Sequence, residues 1–336
     1  MNILGIESSC DETAASVVVD GNKILSSTIA SQIDIHHLYG GVVPELASRK
    51  HLEAIVPVVE DALYKAEITA ENLDAIAVTR GPGLVGALLV GFSFAKGYAY
   101  SLDIPWFGVN HLEGHINSVF LESDLIKPNL PAFPFTALLV SGGHTSIYYV
   151  TGHTQFELMG QTRDDAAGEA FDKVSKMLGL GYPGGALIGS LAKDGHSQKI
   201  KFPRAYLDKN KFDFSFSGLK TAVNRYIQTH AEYQDYIPDI AAGFQEAVVD
   251  VLCFKLIHAA IKKQCRHIAI VGGVAANQRL REKIIQDAGA KGLQVHIPSI
   301  ELCGDNAAMI AAAGYHYLKA GQTSDMSEDA YSRNIL

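Results

Sequence analysis

With 336 residues, 48% of them hydrophobic and 19% charged, the chain has material for about two globular domains, which excludes a disordered or fibrous polymer. A net charge of −8 excludes a generally basic nucleic-acid binder, so any nucleic acid must meet a local patch or arrive with a partner. The four cysteines, Cys10, Cys253, Cys265 and Cys303, are scattered without a C-x-x-C pair, which excludes a cysteine zinc cluster and fits a reducing cytoplasm.

In chain order, Asn2–Glu7 reads as a strand with no basic or apolar leader before it, so no signal peptide is expected. A polar turn, Ser8–Thr13, leads to a second strand at Ala15–Val19. Asp20-Gly21-Asn22 makes a hairpin turn into a third strand at Lys23–Ile29. Pro44 opens a helix at its favoured first position, with Leu46, Leu52, Ile55, Val56, Val59 and Leu63 near helical spacing. Pro57 should kink or divide it. A strand at Asp74–Thr79, a turn at Gly81-Pro82-Gly83 and a helix at Leu84–Tyr100 follow. The strongly apolar run from Leu84 to Ala95 is too short to span a bilayer, so no membrane partner is expected. A buried strand over 104–109 then runs into a helix that starts at His111 and reaches Phe120.

The same order recurs. Strands at Phe135–Val140, Ser146–Val150 and Gln155–Met159 are separated by the turns Ser141–Thr145 and Thr151–His153. Later come a strand at His267–Val271, a helix over Ala275–Ala288, a strand at Leu293–Ile297 and a helix over Asp305–Leu318. Each half reads β-β-β-α-β-α-β-α, and an insertion at about 163–262, mostly helical by pattern, interrupts the second. The pattern predicts an N-terminal lobe over 1–126 and a C-terminal lobe over 127–336. Two such units, each opening on a hairpin with a small polar first turn, resemble the duplicated α/β fold of the actin/hexokinase/Hsp70 ATPases, two lobes around a nucleotide cleft.

Candidate chemistry concentrates at a few points. His111 and His115 lie four apart, about 40° round a helix, so both can reach one metal ion. Glu113 lies roughly 160–200° from each, unlike the acid of H-E-x-x-H, which speaks against a zinc protease. Asp305 either caps the last helix or meets the two histidines from the other lobe, giving a three-ligand site with open positions that suits Zn²⁺ or Fe²⁺. Asp11 or Glu12 can orient a nucleophile or water if their turn faces the cleft. Ser141-Gly142-Gly143 lets backbone N–H groups approach an anion. Gly272-Gly273-Val274-Ala275-Ala276-Asn277 joins a strand to a helix without matching G-x-G-x-x-G. Asp172 can bind a ribose or amino group, and Gly181–Gly185 is a second glycine-rich loop in the insertion. Lys193, Lys199, Lys201, Arg204, Lys209 and Lys211, interleaved with Phe202, Tyr206 and Phe212, read as a solvated basic loop or as an RNA-contact surface.

Five ordered motifs, Ile6–Thr13, His111-Leu112-Glu113-Gly114-His115, Leu139–Thr145, Gly272–Asn277 and Gly304-Asp305-Asn306, together resemble the tRNA N6-adenosine threonylcarbamoyltransferase family, TsaD, once called glycoproteases. The resemblance implies transfer of a threonylcarbamoyl group from threonylcarbamoyl-AMP to N6 of the adenosine beside the anticodon, in tRNAs reading codons that begin with A, with release of AMP. It implies one divalent metal ion per subunit, Fe²⁺ ahead of Zn²⁺, held by His111, His115 and Asp305. It also implies that Leu139, Val140, Ser141, Gly142, Gly143, Asp172, Gly185 and Asn277 bind the adenylate, and that Asp11 is the catalytic acid residue. Implied partners are TsaB as a heterodimer, TsaE, and a TsaC/Sua5-type enzyme supplying the adenylate, all cytoplasmic. The helices at 44–64 and 84–100 are the expected TsaB docking surface, or else ordinary core. The competing readings are an ATPase, kinase or nucleotide-binding partner of the same fold, and a metalloprotease.

Overall fold

The computed structural model describes residues 1–123, 125, 130–206, 208, 211–322 and 324–333. The chain opens with β1 (Asn2–Glu7), β2 (Glu12–Val19) and β3 (Lys23–Ser31), followed by a short helix α1 (Ile33–His37) and the long α2 (Pro44–Lys65). Then come β4 (Ala75–Gly81), α3 (Val85–Leu102), β5 (Trp106–Asn110) and α4 (His111–Asn117). The sheet order is β3-β2-β1-β4-β5, with β1 antiparallel to β2 and parallel to β4. Asp20 and Gly21 both have positive φ (51° and 74°), as a tight hairpin between twisted strands demands.

The second sheet is built from β6 (Phe135–Val140), β7 (Thr145–Gly152) and β8 (Gln155–Gln161), then, after α5 (Ala167–Met177), α6 (Gly184–Leu191), α7 (Ser217–Thr229) and α8 (Ile237–Lys263), β9 (His267–Val271). Helix α9 (Gln278–Gly289), β10 (Gln294–His296) and α10 (Ala307–Lys319) complete the chain. Its order, β8-β7-β6-β9-β10, with β6 antiparallel to β7 and parallel to β9, repeats the first sheet strand for strand. The duplication read from the sequence is therefore present in the hydrogen-bonded topology.

Several details differ from the sequence reading. Pro57 sits inside α2 without dividing it; the flanking Ile55, Val58 and Val59 are buried, and their packing holds the helix through the missing N–H. Leu52 and Val56, expected on the same apolar stripe, are exposed at 67% and 46%. Strand β2 begins at Glu12, which shortens the preceding turn to four residues, Ser8–Asp11. Helix α8 lies within the stretch expected as insertion, yet it packs on β6, β7 and β9 as α2 packs on β2 and β3, so it belongs to the repeated unit.

The chain divides into two compact units, Met1–Leu130 with Gly304–Leu336, and Pro131–Cys303. The expected boundary near 126 left the last helix in the second lobe, whereas α10 packs on β1, β2 and β4 of the first unit. Small residues permit this: a Cβ on Gly5 would lie 2.0 Å from the Ala307 carbonyl oxygen, so strand and helix backbones nearly touch. The face Ala307–Gly314 is buried throughout.

Candidate metal centre and glycine-lined turn

The first unit gathers ionisable side chains in its interior. Helix α4 follows β5 directly, and the Asn110 side chain caps it by accepting from Leu112 N (2.8 Å) and Glu113 N (3.4 Å). This cap fixes the first turn, so His111 and His115 project together, ring centroids 4.7 Å apart and nearly perpendicular. Asp305 is not the cap of α10. Asn306 takes that role, its Oδ1 accepting from Met309 N at 3.0 Å, which frees the Asp305 carboxylate to face the histidines. The Nε2 atoms of His111 and His115 lie 3.5 and 3.2 Å from the same Asp305 Oδ1. Among the described residues these three form a group whose ligand atoms all lie within 4.8 Å of one another. They meet within one compact unit, not from opposite lobes, because α10 packs on the first sheet.

Glu7 completes the arrangement from the end of β1. Its Oε2 accepts from His111 Nδ1 at 2.9 Å and from the Thr79 hydroxyl at 2.6 Å, and its Oε1 accepts from Ser9 N at 2.5 Å. That bond takes a proton from Nδ1 and leaves Nε2 facing Asp305, the orientation of a metal-bound histidine backed by a carboxylate. Burial alone would lower His111, but the flanking Asp305 and Glu7 carboxylates override it and hold the imidazole well above its ordinary value. Burial opposes ionisation of Asp305, yet the two histidines bring it well below the usual carboxylate range. Burial, Asp305, Asp11 and Glu7 push Glu12 up to about 10. The pocket thus holds more carboxylates than bases and favours a cation. Two imidazoles and one carboxylate oxygen converging on one point fit a single divalent metal with open coordination positions.

Glu113 points elsewhere. It accepts from the Tyr317 hydroxyl on α10, and burial pushes its carboxyl up to about 7. The geometry that spoke against a zinc protease is therefore realised. Asp11 is buried in the turn beside this cluster, where its neighbours Cys10 and Glu12 both feel the charge of Asp305.

In the second unit the corresponding turn, Ser141–His144, joins β6 to β7. It closes on itself through Ser141 N to His144 O (2.8 Å) and His144 N to Ser141 Oγ (3.1 Å). Leu139 and Val140 are buried strand residues that hold it. Gly142 and Gly143 have open space where a Cβ would stand, as does Gly185. Gly168, at the start of α5, has no such room: a Cβ there would lie 2.6 Å from Ser141 O. Gly272 (φ +92°) approaches the Val140 carbonyl as closely, 2.5 Å from a notional Cβ. The short turn Gly273–Ala276 packs on β6 and α5, so the third and fourth motifs share one place. Asp172 Oδ1 accepts from Gly184 N at 2.8 Å, tying it to the glycine-rich loop before Gly185. Asn277 caps α9 by accepting from Leu280 N (3.0 Å) and donates to Gln245 Oε1 (2.8 Å), next to Gly189.

Of the two readings of the basic loop, solvated or RNA-contacting, its aromatics do not support base stacking. Lys199 pairs with Asp239 and Arg204 with Asp250, while Phe202 and Phe212 are buried in the core. Tyr206 packs against Phe254 at 5.0 Å. The aromatics turn inward because the long α8 offers them an apolar face. Lys193, Lys201 and Lys211 are exposed, and Lys209 lies outside the described residues. The sequence reading missed Glu7, Thr79 and His51. Glu7 ends an apolar strand just before a polar turn, and that signal was visible; Thr79 and His51 looked like ordinary strand and helix residues.

A family model described as tRNA N6-adenosine threonylcarbamoyltransferase, TsaD, matches residues 23–312. A protein of that name from Desulforapulum autotrophicum is 59% identical over 334 residues, covering 99% of each chain. Another, from Syntrophotalea carbinolica, is 55% identical over 334 residues, covering 99% of this chain and 96% of its own. Among solved structures, component A of the Acidaminococcus fermentans (R)-2-hydroxyglutaryl-CoA dehydratase covers 96% of this chain and 100% of its own with a TM-score of 0.57 at 16% identity. HypF from T. kodakarensis covers 96% of this chain with 49% of its own, at a TM-score of 0.63 and 15% identity. These structural likenesses are ones of fold, the duplicated actin/hexokinase-like ATPase fold.

Proposed function

The chain belongs to the tRNA N6-adenosine threonylcarbamoyltransferase family, TsaD, and on that premise we propose how its residues divide the work of the transfer. The protein is an acyltransferase that modifies adenosine in tRNA to its threonylcarbamoyl form. The donor is threonylcarbamoyl-AMP, and the acceptor is N6 of the adenosine beside the anticodon in tRNAs reading codons that begin with A. The amine attacks the carbamoyl carbon, the bond from that carbon to the phosphate oxygen breaks, the amine proton leaves, and AMP departs with the electron pair.

His111, His115 and Asp305 would hold one divalent ion, which supplies Lewis-acid polarisation of the carbamoyl or phosphate oxygens when bound. Two histidines and one carboxylate with open positions are a donor set of both non-haem Fe²⁺ and catalytic Zn²⁺ sites, and it is the family resemblance that favours Fe²⁺. Glu7 keeps His111 in the tautomer that presents Nε2. Asp11 takes the proton from the adenine amine. Because that amine is a weak nucleophile, orientation of the two reactants carries much of the rate. In the second unit, Leu139 to Gly143 with Gly185 give the adenylate backbone N–H groups and room, while Asp172 and Asn277 fix its edges. The observation that carries this reading is the convergence of His111 and His115 on one oxygen of Asp305, with the acid-rich turn beside it.

Exposed Leu52, Val56 and Tyr64 on α2 and Val85, Leu89 and Tyr100 on α3 support docking of TsaB there. TsaE joins that pair, a TsaC/Sua5-type enzyme supplies the adenylate, and the reaction is cytoplasmic. No described helix is long and apolar enough to cross a membrane. The test is nucleoside mass spectrometry of unmodified tRNA incubated with the protein, its partners and threonylcarbamoyl-AMP, with and without a chelator. Chelator-sensitive appearance of threonylcarbamoyladenosine is expected. Product formation unaffected by complete metal removal would refute the metal's role, and no product with active partners would refute the donor assignment.

A further inference from the structure

The turn that carries Asp11 is held by its backbone carbonyls, each taken by a different element. Ser9 O accepts from Leu84 N, at the start of α3, at 2.8 Å. Asp11 O accepts from Gln32 N, just before α1, at 3.0 Å. Between them, Cys10 O accepts from His51 Nε2 at 3.0 Å. Of these three anchors only the one from His51 is a side chain.

His51 stands on α2, is fully buried, and uses both ring nitrogens. A carbonyl oxygen can only accept, so Nε2 carries the proton and Nδ1 is left as the acceptor. The Thr13 hydroxyl, 2.8 Å away, then donates to Nδ1. Burial holds the imidazole below its ordinary value, which keeps it in this neutral form. One rigid ring thus spans from the residue before Asp11 to the residue two after it, across the point where the turn becomes β2. A histidine needed only to fill the interior would be costly there, since an apolar side chain could do so without two polar atoms to satisfy.

We propose that His51 is a positioning residue for the transfer: its bridge from the Cys10 carbonyl to the Thr13 hydroxyl sets the direction in which Asp11 presents its carboxylate to the adenine amine. The proposal rests on the reading of Asp11 as the residue that takes that proton.

The test uses the full chain with its partners under steady-state conditions, following threonylcarbamoyladenosine by mass spectrometry and normalising rates to bound metal and folded fraction. The variants are His51→Leu, His51→Gln, Thr13→Val, Asp11→Asn and the double variant His51→Leu/Asp11→Asn. Expected for His51→Leu is a fall of about 10- to 100-fold in kcat, the scale of a misdirected catalytic group, with the donor KM and metal content unchanged. His51→Gln, which keeps an N–H at the ε position, should recover most of the rate. Thr13→Val should shift kcat the same way by less, and it carries the test with His51→Gln should His51→Leu not fold. In the Asp11→Asn background the His51→Leu change should cost nothing further. A normal kcat in His51→Leu with a slow Asp11→Asn would overturn the positioning role and leave Asp11 standing. So would an equal loss from His51→Leu with and without Asp11. A normal rate in Asp11→Asn would instead overturn the reading of Asp11, and the proposal with it.

Discussion

The turn after the leading strand of the first unit, Ser8–Asp11, is enclosed by buried ionisable groups, whereas its counterpart in the second unit, Ser141–His144, opens onto space at Gly142 and Gly143. Both follow the central strand of a sheet with the same order, and both lead into an antiparallel partner. One turn is surrounded by Glu7, Asp305, His111 and His51; the other is approached by the backbone of Gly168 and Gly272. The comparison teaches that one scaffold can serve opposite purposes. Charge gathered in a closed interior suits a cation and a proton transfer, and bare backbone beside a glycine suits an anionic nucleotide.

The sharpest way to break the comparison is to remove charge from the first unit. His111→Ala or Asp305→Ala should abolish metal binding and lower transfer by about 10³-fold or more, several kcal/mol of lost electrostatic stabilisation, with the circular dichroism spectrum unchanged. Elemental analysis checks this, and full metal content in both variants would end the proposed ligand set. Next in size is a side chain placed on the open turn. A Cβ on Gly142 meets no atom within 4 Å, so Gly142→Ala should leave melting temperature alone while weakening AMP binding by about tenfold or more through lost backbone access. Gly272→Ala should do the reverse, costing about 1–3 kcal/mol of stability because its φ of +92° and its approach to Val140 O both exclude a Cβ. Calorimetry and nucleotide titration on the pair separate access from packing; equal loss of AMP affinity without loss of stability in Gly272→Ala would contradict it.

Smaller is the effect of Glu113→Gln. The side chain faces Tyr317, away from the converging imidazoles, so transfer should change by less than about threefold and metal content not at all. A large loss would return the acid to the site. Independent of transfer is a pH effect in the second unit. Burial lowers His153, beside Phe133, from 6.5 to about 4. Between those values the unfolded chain binds a proton that the folded chain refuses, so stability should decline as pH falls from about 6.5 toward 4. Melting curves of the protein and of His153→Phe across that range test it: the variant's slope should be shallower, and parallel slopes would dismiss the assignment.

Much of the architecture was legible because its cues are local. The Asp20-Gly21 hairpin, the alternation of strands and helices, and the four-residue spacing of His111 and His115 each act within a few residues. Other features were hidden because they depend on distant backbone. Asp305 read equally well as a helix cap, until the structure put Asn306 in that position. The insertion concealed α8, since a long helix inside a helical stretch gives no local sign of which sheet it covers. Phe202 and Phe212 belonged to a loop that read as solvated or as RNA-contacting, and only the apolar face of α8 decided that they turn inward.

By itself the sequence determined the repeat of two α/β units, the identity of the motifs and the pairing of the two histidines on one helix face, because hydrophobic period, turn chemistry and residue spacing are properties of neighbouring residues. Only the tertiary structure decided that α10 packs on the first sheet, bringing Asp305 to the histidines within one unit, and that Glu7 and His51 hold His111 and the Asp11 turn in place. Those outcomes depend on how closely backbones such as Gly5 and Ala307 can approach across three hundred residues of chain, and no local pattern records that distance.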